Sequence, residues 1–320
     1  MNKKIINIRA IAITFIVFGH SIILYSKQWG IYTTNVNAPI LEIIKDIINS
    51  FQLELFFALS GFLFYRSVMK QERVLDFVKK KISRLIIPYY FIAFLWMDPI
   101  KFILSTPGFA NFRDTISSCS HQLIFSSGST GHLWFLPTLF FIFVFSFIYM
   151  TKIYKHNIGA ILTLFFILIS SHYIGFHIPG YFQLNNILRY AIFFFMGYLL
   201  YYINTCVELS KYKKILALSC IILSFCRIIT VYIHIIYILF LIFCIYTFIP
   251  NKTNKYTQTI SDNSFGIYLF HSPLIYITYT YFKDCSPFLV VFLNFFVFGG
   301  ISLLLSIATR NSKFKFILGE

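Results

Sequence analysis

The stretch Ile8-Arg9-Ala10-Ile11-Ala12-Ile13-Thr14-Phe15-Ile16-Val17-Phe18-Gly19-His20-Ser21-Ile22-Ile23-Leu24-Tyr25-Ser26 decides how this chain folds. It is apolar over nearly the ~20 residues that a helix needs to cross about 30 Å of hydrocarbon. The pattern recurs over residues 45–65, 85–105, 133–150, 158–175, 187–203, 214–232, 235–250, 263–281 and 287–308. The sequence therefore predicts an all-α integral membrane protein with about ten transmembrane helices. The weakest division falls near residue 233, where no strong turn residue stands. Composition agrees. Of the 320 residues 58% are hydrophobic and 12% charged, and Phe alone occurs 41 times. A soluble domain carries roughly 25% charge, so this chain has too few polar side chains to cover itself in water. A disordered chain, a collagen and a soluble enzyme are excluded.

The net charge of +16 has two readings, nucleic acid or membrane. Nucleic-acid binding needs a folded polar surface, which the composition denies. Cytoplasmic loops of membrane proteins are enriched in Lys and Arg. With the N-terminus inside and ten crossings, the inner segments hold Lys3, Lys4 and Arg9; Arg66, Lys70, Arg73, Lys79 to Lys81 and Arg84; Lys152 and Lys155; Lys211, Lys213 and Lys214; Lys252 and Lys255; and Arg310, Lys313 and Lys315. That is 20 of the 27 basic residues. Lys27, Lys45, Lys101, Arg113, Arg189, Arg227 and Lys283 fall elsewhere. Both termini are thus expected in the cytoplasm, and the first span is read as retained because no small-x-small cleavage site follows it. No repeat or Pro/Gly/Ser linker divides the chain, so residues 1–320 read as one membrane domain. Residues 106–131 form the longest outer loop. Residues 66–84, with Val74, Phe77 and Val78 on one face, either lie along the headgroups or form an ordinary loop. Cys119 and Cys285 both fall in outer loops and either pair or stay free.

Ionisable groups within a bilayer are costly and mark function by default. Arg9 and His20 are eleven residues apart, about 20° beyond three turns of helix and about 16 Å along its axis. They share a face, Arg9 near the inner headgroups and His20 near mid-membrane. A forked, permanent cation suits a phosphate; an imidazole suits proton transfer. The alternative is an interfacial anchor and a core histidine. Glu54, on the second span, either orients a histidine, accepts a sugar hydroxyl, or marks the span's outer end. Ser60-Gly61 after it permits close backbone approach, either to a neighbouring helix or to a ligand. His132 and Trp134 open the fourth span, where they are either an interfacial belt or a sugar-binding pair. Arg189 opens the sixth span, as a snorkelling cation or a substrate ligand. His271 lies at mid-depth on the ninth. The six cysteines sit without metal-like spacing, and no metal is expected.

Several of these segments recur together and in this order: Arg9 to His20, Phe56-Phe57-Ala58-Leu59-Ser60-Gly61-Phe62-Leu63, Arg84 through Pro88, Gly131-His132-Leu133-Trp134-Phe135-Leu136, Phe193 to Tyr198, and Gly266-Ile267-Tyr268-Leu269-Phe270-His271. In them the chain resembles the membrane-bound acyltransferase-3 family, most nearly its fucose-4-O-acetylase-like and O-antigen O-acetyltransferase members. The resemblance covers nearly the whole chain. It implies ten helices and transfer of an acetyl or other short acyl group from acyl-CoA, a co-substrate rather than a bound cofactor. The acceptor would be a hydroxyl of a surface polysaccharide or its lipid-linked precursor, at the bacterial inner membrane. It also implies that Arg9 and His20 are essential, and that Lys81-Ile82-Ser83-Arg84 stands where relatives carry Arg-x-x-Arg on the acyl-donor side. Lys81 keeps the charge there but loses the fork. Glu54 stands where relatives often carry Asp.

The expected mechanism places the acyl-CoA phosphates by Arg9, Lys81 and Arg84. His20 acts as general base, or alternatively as an acylated nucleophile. Glu54 orients the imidazole, and His132, Trp134, Arg189 and His271 line the sugar side. A carrier or flippase for a lipid-linked sugar or acyl group is the competing class, but carriers often show internal halves, and none is visible here.

Overall fold

The computed structural model describes residues 3–26, 32–70, 73–126, 130–153, 158–227 and 229–320. Lys27 and Lys155 of the charge pattern, and residues 127–129 of the expected outer loop, lie outside the described residues. Every regular element among the described residues is helical, and none is a strand. In chain order the main helices are α1 (Lys3–Ser21), α2 (Pro39–Asn49), α3 (Gln52–Met69), α4 (Val74–Ile103), α5 (Phe112–Leu123), α6 (Gly131–Thr151), α7 (Ile158–Ile174), α8 (Leu184–Cys206), α9 (Lys213–Cys226), α10 (Val231–Phe248), α11 (Lys255–Asp262), α12 (Ser264–Tyr281) and α13 (Pro287–Arg310).

Six helical stretches among the described residues are long and apolar enough to cross a membrane: Lys3–Ser21, Pro39–Met69, Val74–Ile103, Gly131–Thr151, Tyr181–Cys206 and Pro287–Arg310. The chain is an all-α membrane protein. The other four expected spans fall on α7, α9, α10 and α12, which are helical but shorter or more polar. The weak division is a real break, placed earlier than residue 233: α9 ends at Cys226, and α10 starts at Val231 behind Thr230, whose hydroxyl accepts from the Ile233 N–H. The outer segment 106–131 is largely the helix α5. Asn111 caps it by accepting from the Asp114 N–H at 2.9 Å, as short polar residues do at a helix start.

The chain divides into two compact units. The first holds Met1–Arg9, Leu53–Lys81 and Thr138–Asn254. Its core is aromatic: Phe77 stacks on Phe147 with centroids 4.0 Å apart, and Phe64 meets Phe143 and Phe194. Phe77 is therefore packed inside protein rather than turned to headgroups, and residues 74–81 are the first turns of α4, not a separate surface segment. Helices α3 and α8 touch through glycines. A methyl group at Gly61 would sit 1.8 Å from the Phe194 carbonyl oxygen, and one at Gly197 would sit 1.7 Å from that of Ala58. The small-residue reading of Gly61 holds, because only hydrogen lets these backbones meet.

The second unit holds Ala10–Gln52, Ile82–Pro137 and Lys255–Glu320. One of its cores gathers Ile22, Leu24, Ile48, Ile275, Tyr279 and Val290. Within α4 the backbone opens into π-helical turns at Ile82–Ile86 and Ala93–Met97. Each precedes a proline, Pro88 or Pro99, which has no N–H for the carbonyl four residues back and crowds it. Gly319, in left-handed conformation at φ 68°, lies against the first opening: a methyl there would stand 2.6 Å from Arg84 Cα. All six cysteines are free, so Cys119 and Cys285 do not pair.

Candidate active site

In the second unit α1 ends beside α12 and α13. His20 lies in the last turn of α1, where its carbonyl has no helical N–H to meet. The Tyr279 hydroxyl donates to that carbonyl at 2.6 Å, and Asn294 Nδ2 donates to the Ser21 carbonyl at 3.3 Å. The imidazole is fixed as firmly as the backbone. His20 Nδ1 lies 2.7 Å from His271 Nε2, with the ring planes 7° apart and the centroids at 4.9 Å. That separation is the N···N distance plus the reach from each ring centre to its nitrogen, so the rings meet edge to edge rather than face to face.

The protons on this pair follow from the carbonyls behind it. His271 is 1% exposed, and its Nδ1 lies 2.9 Å from both the Ile267 and the Tyr268 carbonyl oxygens. Carbonyl oxygens only accept, so Nδ1 carries the proton. Neutral His271 then offers a lone pair at Nε2, and His20 Nδ1 must donate to it. Neutral His20 is left with its own lone pair on Nε2. The ring is half-buried. The arrangement is a base whose tautomer is set by a partner, the role that a carboxylate plays toward histidine in hydrolase triads.

His132, at the start of α6, stands beside this pair. Its centroid lies 6.5 Å from that of His20 and 5.6 Å from that of His271, with planes near perpendicular. Its carbonyl accepts from the Tyr268 hydroxyl, and neither of its buried ring nitrogens has a hydrogen-bond partner. Trp134 follows on the same turn, edge-on to Phe135, which in turn meets Tyr268. The three histidines thus converge. Yet among the described residues no three or more His, Cys, Asp or Glu are placed to hold a metal together.

Two of the seven basic residues that fall outside the expected inner segments are buried here. Lys45 is 1% exposed and Lys101 6%. A methyl group at Gly19 would stand 3.2 Å from Lys45 Nζ and 2.6 Å from Gln52 Oε1. The burial of Lys45 has a legible cause, since Leu41, Ile44, Lys45 and Ile48 form one helical stripe against the core. Lys101 lies one turn beyond Asp98, and its Nζ stands 4.9 Å from the centre of the Phe109 ring and 5.3 Å from that of Tyr276. Asp98 accepts from Gln122 Nε2 at 3.0 Å and from Cys119 Sγ at 3.5 Å, which ties α5 onto α4. Arg84, in this unit too, is exposed.

Other expected site residues lie in the first unit. Glu54 and Arg189 are electrostatic neighbours, yet Glu54 Oε2 and Arg189 Nε make no hydrogen bond. The Arg189 guanidinium covers the Phe176 ring at 4.1 Å, and Tyr190 stacks on Phe57. The structure thus brings Glu54 to Arg189, while the His20 Nδ1 that Glu54 was expected to orient is engaged by His271. Arg9 follows turns of α1 anchored by Asn7, whose Nδ2 donates to the Pro250 and Lys252 carbonyls at 2.9 and 2.8 Å. Lys81 Nζ lies 3.5 Å from the centre of the Phe143 ring. The sequence gives no role to the lysines or Tyr279, and shows Tyr268 only as part of the Gly266–His271 motif. The helical stripe of α2 could have found Lys45; nothing local marks Tyr279.

No curated protein and no solved structure gives a significant match to the chain. A family model described as an acyltransferase domain matches residues 2–310, which include every residue of the histidine cluster. With that match over nearly its full length, the chain belongs to the membrane-bound acyltransferase-3 family.

Proposed function

We propose that the protein transfers an acetyl or other short acyl group from acyl-CoA to a hydroxyl of a surface polysaccharide or its lipid-linked precursor. His20 is the general base. The observation that carries this reading is the His20–His271 pair, whose hydrogen bonds leave the His20 Nε2 lone pair free to take a proton. In the reaction Nε2 removes the acceptor hydroxyl's proton as the oxygen attacks the thioester carbon. The new imidazolium then gives that proton to the departing thiolate. His271 is the positioning residue. It keeps His20 in the useful tautomer and accepts a stronger, charge-assisted hydrogen bond once His20 is protonated.

Arg9, Lys81 and Arg84 are assigned to the acyl-CoA phosphates. Arg9 precedes His20 by eleven residues of one helix, about 16 Å of rise, a span suited to an extended pantetheine arm. His132, Trp134, Arg189 and Glu54 are assigned to the acceptor. For Glu54 this means accepting a hydroxyl, because His271 already orients the base. The basic segments support ten crossings with both termini in the cytoplasm; the family likeness supports a bacterial inner membrane, with residues 1–320 as one acyltransferase domain.

The test is transfer of radiolabel from acetyl-CoA to glycan by the protein in lipid vesicles, compared with His20→Ala. We expect label on glycan with the wild type and a loss of at least 10²-fold in the variant. Full activity of His20→Ala protein in the membrane would remove His20 from the chemistry, and movement of unmodified glycan without label would make the protein a carrier.

A further inference from the structure

Lys45 is left without a task by that reaction. It is among the largest fully buried side chains, it lies on a helical face otherwise made of Leu41, Ile44 and Ile48, and it makes no ion pair among the described residues. Its nearest carboxylate by charge is its exposed neighbour Asp46. An ammonium buried without a partner is held at a cost that folding alone does not offset. Lys101 differs, because Asp98 stands one turn away and two aromatic rings face its amine. With the histidines neutral, Lys45, Lys101 and Asp98 leave this part of the second unit one positive charge in excess.

Two further observations place the excess charge next to the residue that precedes the base. Lys45 Nζ approaches Gly19, the residue before the base, to within 3.2 Å of where a Cβ would be, and its charge acts on the His20 ring. Gln52 Oε1 converges on the same spot at 2.6 Å and, although buried, has no hydrogen-bond partner. Two polar groups without hydrogen-bond partners thus meet where the chain has no side chain, at the residue preceding the base.

We propose that the Lys45 ammonium stabilises the oxyanion of the acyl transfer and is a catalytic residue of this enzyme; the proposal rests on the acyltransferase reading above. When the acceptor oxygen bonds to the thioester carbon, the C=O electron pair moves onto the carbonyl oxygen, and the hydroxyl proton goes to His20 Nε2. The oxygen then carries the negative charge that Lys45 lacks in the resting protein. On collapse the C=O bond re-forms, the C–S bond breaks, and the thiolate leaves with the proton from His20. A fixed cation aimed at charge that appears only in the transition state raises kcat rather than ground-state affinity.

The experiment compares wild type, Lys45→Met and Lys45→Arg in lipid vesicles with acetyl-CoA and the glycan acceptor, alongside thermal unfolding of each. We expect kcat of Lys45→Met to fall about 10²–10³-fold, with both KM values within about threefold of wild type. We expect Lys45→Arg to recover part of the loss. The melting temperature of Lys45→Met should equal or exceed that of wild type, because the variant no longer buries an unpaired charge. Loss of activity together with a lower melting temperature would make Lys45 structural and overturn the proposal. So would unchanged kcat, or a raised acceptor KM at unchanged kcat, which would mean that Lys45 binds an anionic group of the acceptor. A wild type that moves no acyl group from acetyl-CoA would remove the parent reaction, and the proposal with it.

Discussion

Replacing His271 by Phe isolates what the second imidazole does. The ring shape is kept, so packing against α12's neighbours changes little. What disappears is the acceptor 2.7 Å from His20 Nδ1. A neutral hydrogen bond is worth about 1 kcal/mol net, and one to a charged group roughly 1.5–3. Protonation of His20 during the reaction therefore strengthens the contact by about 0.5–2 kcal/mol, a factor of roughly 2–30 in rate. Loss of tautomer control adds to this, because the proton is free to move to Nε2 and disarm the base. Orienting groups of this type elsewhere account for up to ~10⁴ in kcat. We expect His271→Phe to lower kcat about 10²-fold, with KM for acetyl-CoA within about threefold. His271→Gln, which restores a side-chain oxygen as acceptor, should recover part of the loss. Steady-state transfer of radiolabelled acetyl groups to glycan in vesicles measures both. A folded His271→Phe protein with kcat within threefold of wild type would refute the assigned tautomers.

Gly19→Ala should abolish most activity, since its methyl would meet Gln52 Oε1 at 2.6 Å and Lys45 Nζ at 3.2 Å; acetyl transfer by membranes containing equal amounts of protein checks this. Gly61→Ala and Gly197→Ala should each destabilise the first unit by about 1–3 kcal/mol or more, the usual cost of forcing atoms into a packed contact, because each methyl meets a carbonyl oxygen at 1.8 or 1.7 Å. A lowered melting temperature in detergent with an unchanged acyl-CoA KM is the expected result. Cys119 should resist alkylation. Burial and the Asp98 carboxylate raise its thiol to about 11, so at pH 8 only about one molecule in 10³ is thiolate, the reactive form. Its labelling rate should climb roughly tenfold per pH unit up to that value and trail that of the exposed Cys206 throughout.

The helical architecture was legible because lipid imposes one rule everywhere: a backbone in hydrocarbon must satisfy its own hydrogen bonds, so long apolar runs become helices. Arg9, His20 and the order of the motifs could be read for the same reason, since a lone charge stands out in an apolar run. Tertiary partnerships could not be read. His20 and His271 are separated by 251 positions, and no local pattern announces that one ring caps the other. Lys45 drew no role from the sequence because a positive charge near a span's end is ordinary, although the Leu41, Ile44, Ile48 stripe around it carried the information. Residues 106–131 read as loop because serine and glycine dominate the eye, while the capping pair Asn111 and Asp114 already marked a helix start. Pro88 and Pro99 signalled disturbance of α4, but whether a helix kinks, stops or widens depends on what packs beside it.

The widened turns of α4 make residue count part of the chemistry. Each acts like a single inserted amino acid that the helix has swallowed without breaking. Deleting one residue within Ala93–Met97 would let the backbone tighten to ordinary α geometry, with Asp98 still turned to Gln122 and Lys101 to Phe109 and Tyr276. The same deletion in a regular turn of α4 would swing everything beyond it by about 100° around the axis. The widened turns are therefore the places where this helix tolerates the loss of a residue.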